Sequence, residues 1–301
     1  MTEGTERNRP AWWGSVASPL TPWDDKDRID EDALASEVEF CIRAGVGGIS
    51  YPMMTGEVFE LTEDEMRTAA RVTLKAAAGR VPVLINCTAI SVGLAAEYAR
   101  HAAEAGADAV IAMGRRNPNA TFDEHLVYYG AIADAAGVPV WIQNHPFAHL
   151  SAEQAIRLCE KIELVSWIKE ENPPEDQRIE ELARLDSPHV EGIVGGSGGV
   201  YSIWDWEAGA QGVIHACCFC DVVQQVWNRL ADDELPAARD LMEKLLPALQ
   251  MERKLDICKE ILVRRGVLKN NRTRWGNRGI SERISRDINR ALERIQPLLT
   301  A

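Results

Sequence analysis

No stretch of the sequence reaches the roughly 18 consecutive apolar residues of a membrane-spanning helix, so a span is not expected. Positive charge is in deficit. Lys and Arg number 33 against 46 Asp and Glu, leaving a formal charge of −13. Nucleic acid demands a basic face, so that class of partner is excluded. Cysteine is sparse: seven residues, an odd number without regular spacing, give no disulfide framework. Cys217, Cys218 and Cys220 cluster, but no second Cys or His cluster lies at zinc-binding spacing. They read as small buried residues at a strand end, and neither a metal nor a cofactor is expected. Met1 to Pro10 is polar and lacks the apolar core of a secretory signal, which points to a cytoplasmic protein. A low-complexity linker is also missing.

What is present is a rhythm. Short runs rich in Val and Ile alternate with helical stretches. The strands are expected at Gly14–Ser18, Val46–Tyr51, Pro82–Cys87, Asp108–Met113, Pro139–Gln143, Leu164–Lys169, Val190–Val194 and Gly212–Ala216. Between them, Asp30, Thr62 and Ser151 stand where helix N-caps belong, and Gly106 and Gly137 where helices stop. Eight strands, each followed by a helix and apolar enough to be buried on both faces, indicate a (β/α)₈ TIM barrel of the α/β class. The expected organisation is a polar tail over 1–12, the barrel over 13–232, and a helical C-terminal extension over 233–301. The extension should form three helices packed outside the barrel.

Reactive groups in such barrels lie at the C-terminal ends of the strands. Lys169 ends an apolar run, Leu164-Val165-Ser166-Trp167-Ile168. Strand alternation puts Val165, Trp167 and Lys169 on one face and Ser166, Ile168 and Glu170 on the other. If Trp167 points inward, so does Lys169. Desolvation there disfavours the ammonium form, and a neutral amine can attack a ketone to form an imine. The protonated imine is an electron sink that makes the adjacent carbon acidic. Glu171, two residues on, returns to the same face and could shuttle a proton. The plain alternatives are a lysine snorkelling to solvent and a loop carboxylate. Other strand ends offer Met54, Thr55 and Gly56 after the second strand and Arg115 and Arg116 after the fourth. Gln143, Asn144 and His145 follow the fifth strand, and Gly196 and Ser197 lie in the glycine-rich loop after the seventh.

Three of these segments resemble the dihydrodipicolinate synthase and N-acetylneuraminate lyase family of class I Schiff-base lyases. Met53-Met54-Thr55-Gly56-Glu57 matches the family's Gly-Thr-Thr-Gly-Glu. Gln143-Asn144-His145-Pro146 matches its Tyr-Asn-x-Pro, and Ile168-Lys169-Glu170 its Ile-Lys-Glu. The resemblance implies that Lys169 forms the imine, that Thr55 and Gly56 hold the substrate carboxylate, and that the chain is a homodimer or homotetramer. Gln143 replaces the family's proton-relaying tyrosine and cannot titrate. Met54 replaces a threonine, Gly114-Arg115-Arg116 stands where synthases have another tyrosine, and Ala148 or His149 lies near the position of their arginine. The pattern is closer to the 2-keto-3-deoxy-L-arabonate dehydratase branch, where glutamine replaces the tyrosine and Lys-x-Glu ends the sixth strand.

The expected substrate is therefore a small 2-oxo acid, and the expected reaction is dehydration of a 2-keto-3-deoxy sugar acid. Lys169, Glu171 and Gln143 are the catalytic candidates. Met54, Thr55, Gly56, Asn144, His145, Arg115, Gly196 and Ser197 are the substrate-binding candidates. Retro-aldol release of pyruvate, and a non-catalytic barrel that binds a 2-oxo acid, are the competing readings.

Overall fold

Eight short strands run parallel and close in chain order, with the last paired to the first. They are β1 (Gly14–Ser18), β2 (Gly48–Tyr51), β3 (Val83–Asn86), β4 (Ala109–Met113), β5 (Val140–Asn144), β6 (Val165–Glu170), β7 (Gly192–Gly195) and β8 (Gly212–Ala216). The computed structural model describes residues 11–301 apart from 116, 118, 277 and 278. The connecting helices are α1 (Glu31–Arg43), α2 (Glu63–Ala77), α3 (Val92–Glu104), α4 (Phe122–Ala136), α5 (Ala152–Lys161), α6 (Glu175–Leu185), α7 (Ser202–Glu207) and α8 (Cys220–Ala231). Asp30 caps α1, and reciprocal capping boxes open α2 (Thr62 with Glu65), α4 (Thr121 with Glu124) and α5 (Ser151 with Gln154). All seven cysteines are buried free thiols.

Alternation along the strands divides the core into two layers. Val16, Leu84, Ile111, Trp141, Trp167, Val194 and Ile214 pack together on the barrel axis, joined by Trp12 and Met53. Their neighbours Ala17, Ile85, Val110, Ile142, Ile168, Ile193 and Val213 pack under the helices. The Trp141 and Trp167 rings stack with centroids 4.5 Å apart, and Trp12 meets Trp141 edge-on. They form an aromatic floor beneath the strand ends.

One face assignment needs correction. Val165 packs in the outer layer with Ile168. The β5–β6 register shifts between Val140 and Trp141, whose partners are Val165 and Trp167. Ser166 is the extra residue, and the irregularity breaks strict alternation there. Beyond it alternation holds, so Trp167 and Lys169 share the inner face.

Three further helices, α9 (Leu235–Leu249), α10 (Leu255–Arg264) and α11 (Glu282–Ile295), follow the barrel. A fully buried ion pair ties them to the β2 loop. Lys259 Nζ donates to Glu57 Oε1 at 2.5 Å and to the carbonyls of Thr21 and Arg272 at 2.6 Å each. Glu57 also accepts Trp23 Nε1 and the Arg274 N–H, each at 2.8 Å. Its role is therefore to brace the loop carrying Thr55. Glu57→Gln leaves the Lys259 cation buried without its counter-charge. It is expected to lower unfolding stability by about 3–5 kcal/mol, read from urea denaturation.

Candidate active site

A cavity of about 410 Å³ opens above the aromatic floor, at the C-terminal ends of the strands. Ser18, Met54, Thr55, His145, Lys169, Glu171 and Ser197 line it from five different strand ends. That size suits a small organic acid. Leu249 and Glu252 close one side. The C-terminal region, expected to pack outside the barrel, also contributes to the cavity wall.

Lys169 is almost wholly buried, and its Nζ lies 2.8 Å from Glu171 Oε2. Gln143 Nε2 donates to the same oxygen at 2.8 Å. Glu171 reaches this position because its N–H donates to Asn144 O at 2.9 Å, extending the β5–β6 ladder one residue past the strand. Burial alone would raise the Glu171 carboxyl. The charge of Lys169, the bonds from Lys169 and Gln143, and the charge of His145 outweigh it and hold the carboxyl below its usual value. Glu171 is therefore ionised at neutral pH and stands as a base beside the amine.

The β2 loop makes one turn over Met54–Gly56. Among the described residues, no backbone or side-chain acceptor faces the Met54 or Thr55 N–H. Thr55 Oγ1 has only a long bond, 3.4 Å, to Ser18 Oγ. Two N–H groups and two hydroxyls therefore converge on one side of the cavity, a set able to hold a carboxylate.

Other candidates sit elsewhere. The Gly56 N–H donates to Met53 O, and its carbonyl accepts from Thr21 Oγ1, so its backbone serves the loop and not a ligand. The side chain of Asn144 is wholly buried, bonded to Leu150 N and O and to Glu170 Oε2, which makes it a brace for the β5 loop. Arg115 does not line the cavity, and its charge acts on Glu124 and His125 of α4. Arg116 lies outside the described residues. The Gly196 N–H donates to Glu175 Oε1 at 2.6 Å, so Gly196 shapes the turn from which Ser197 lines the cavity. His145 borders the cavity with its ring edge-on to Phe147 and its Nδ1 accepting from the Phe147 N–H at 3.2 Å.

Sequence reasoning missed Ser18, although it ends β1 and the strand-end rule selects it. It also missed Glu175 and Asp205, whose approach to the site depends on a turn that no periodicity reveals.

Comparisons with known proteins bear on the family and the fold. Residues 11–294 match the dihydrodipicolinate synthetase family. The L-2-keto-3-deoxyarabonate dehydratase of Azospirillum brasilense is 27% identical over 281 residues, covering 90% of each chain. The 4-hydroxy-tetrahydrodipicolinate synthase of Salinibacter ruber is 29% identical over 255 residues, 79% of each chain. The dihydrodipicolinate synthase of Rhodopseudomonas palustris shares the fold, with a TM-score of 0.87 over 95% of this chain and 98% of its own, at 21% identity.

Proposed function

This chain belongs to the dihydrodipicolinate synthetase family and is a lyase, and from that premise we propose that it dehydrates a 2-keto-3-deoxy sugar acid held as an imine on Lys169. The observation that carries the proposal is the Glu171 carboxylate. It occupies the lysine's side of the cavity, bonded to both Lys169 and Gln143, the glutamine that stands where the resemblance to the synthases implies a proton-relaying tyrosine.

The substrate carboxylate rests against Thr55, Ser18 and the open N–H groups of the β2 turn, with its C2 carbonyl near Lys169 Nζ. Glu171 takes the ammonium proton. In a poorly solvated site this transfer removes two charges at once, and the neutral amine attacks C2. Glu171 returns that proton to the C2 oxygen, which leaves as water as the protonated imine forms. Again a carboxylate, it takes a C3 proton and passes it to the C4 hydroxyl, which the enamine expels as water. Gln143 donates to Glu171 throughout and fixes the orientation of its carboxylate. Cleavage of C3–C4 would instead need a base at the C4 hydroxyl.

A panel of 2-keto-3-deoxy acids, assayed separately for semialdehyde and for pyruvate, tests the proposal. Semialdehyde without pyruvate is expected. Stoichiometric pyruvate would make the enzyme a retro-aldolase. Thr55→Val is expected to raise KM about 10- to 100-fold with little change in kcat, since one hydrogen bond to a charged group contributes about 1.5–3 kcal/mol. An unchanged KM would place the carboxylate elsewhere.

A further inference from the structure

Behind the turn that carries Ser197, three carboxyl groups converge. A Cβ at Gly196 would lie 2.4 Å from Glu171 Cγ. One at Gly195 would lie 2.3 Å from Asp205 Oδ2 and 3.1 Å from Glu175 Oε1. Glycine at both positions leaves the space these side chains fill. Glu175, the first residue of α6, bonds to the turn twice: Oε1 accepts the Gly196 N–H and Oε2 meets the Ser197 hydroxyl. This holds Ser197 with a left-handed backbone, φ 47°, against the cavity. Asp205 of α7 is fully buried, and neither of its oxygens has a hydrogen-bond partner among the described residues. Two adjacent buried carboxyls cannot both be ionised near neutral pH, and Asp205, which no donor faces among the described residues, is the first of the two to hold a proton.

The Ser197 hydroxyl has a single proton, and Glu175 decides where it points. A Glu175 carboxylate accepts that proton and leaves only lone pairs toward the cavity. A neutral Glu175, protonated on Oε2, donates to Ser197 Oγ and turns the serine proton into the cavity. We propose that Glu175 acts in its neutral form as a positioning residue, making Ser197 a hydrogen-bond donor to the substrate oxygen that departs. This rests on the dehydration reading above.

The surroundings favour the neutral form. Burial, helped by the charge of Glu171, pushes Glu175 up to about 7 against the opposing bonds from Ser197 and Gly196 and the charge of Lys169. Burial, then Glu175 and Asp176, pushes Asp205 up to about 9. The strand β7, Gly192–Gly195, carries no ionisable side chain, and Glu153 of α5 faces Arg178. Below about pH 7 Glu175 is neutral and Ser197 faces the substrate. Above it the carboxylate recaptures the proton.

Glu175→Gln is a fixed copy of the neutral form, with Oε1 accepting from Gly196 and Nε2 donating to Ser197. The ratio of its kcat to that of the wild type is expected to rise about ten-fold from about pH 6 to about pH 8, as the neutral fraction of the wild-type residue falls. Titrations shared by both proteins cancel in this ratio. A flat ratio, or loss of kcat at every pH by a folded variant, overturns the proposal. Infrared difference spectra, wild type against Glu175→Gln, read the same carboxyl without turnover. A protonated carboxyl band is expected at about pH 6 and lost by about pH 8. Its absence at pH 6 overturns the assignment whatever the reaction. Failure of the dehydration reading shows differently, as a wild type that forms no semialdehyde.

Discussion

Lys169→Ala is expected to have no measurable turnover while keeping its fold. Among the described residues, the amine is the only group lining the cavity that can form an imine with a ketone, and the imine is the electron sink on which loss of the C3 proton depends. Water-mediated enolisation of the free ketone would have to replace it, at a barrier that no remaining side chain lowers comparably. The substitution also leaves the largely enclosed Glu171 carboxyl, 15% exposed, without its cationic partner, so it should take up a proton more readily. Circular dichroism and the oligomer profile should match wild type, since Lys169 bonds to Glu171 and not to the backbone scaffold. Substantial turnover by a well-folded variant would refute covalent catalysis at this position.

Glu171→Gln should separate the chemical steps. The amide keeps the shape and can still contact Gln143, but it cannot hold a proton. Overall turnover is expected to fall by roughly 10²–10⁴, the usual contribution of a positioned acid or base. Imine formation with pyruvate should survive more slowly, because water must then take the ammonium proton that Glu171 takes in the wild type. Both assays belong on one preparation, since a misfolded variant would lose both. Near-normal turnover would make Glu171 a bystander and shift the role to His145 or a bound water. Loss of the pyruvate adduct along with turnover would place its contribution earlier, in forming the imine.

Much of this was legible in the sequence for physical reasons. The alternation of Val- and Ile-rich runs with capped helices specifies a closed parallel barrel, because strands buried on both faces leave few other arrangements. Lys169 follows from the strand-end rule. Glu171 follows from alternation because its N–H continues the ladder to Asn144. The same rule failed at Val165, where the β5–β6 register shifts beside Ser166, next to the stacked Trp141 and Trp167 rings, and local pattern carries no sign of the extra residue. Asn144 looked like a ligand because it neighbours the site in sequence, yet its amide closes the loop to Leu150. Arg115 looked like an anion-binding group for the same reason, and its charge serves α4. Glu175 and Asp205 meet because Gly195, at the end of β7, leaves room for both, a tertiary fact with no periodic signature. The bracing of the β2 loop by Lys259 links residues 202 positions apart, beyond the reach of any local motif.

In the proposed reaction everything depends on an imine on Lys169. Incubation with pyruvate and borohydride, followed by peptide mass spectrometry, tests it most directly. One reduced pyruvyl adduct per chain is expected, located on Lys169, present in Glu171→Gln and absent from Lys169→Ala. A wild-type protein that turns over its substrate yet gives no adduct, or carries the adduct on another lysine, would contradict it.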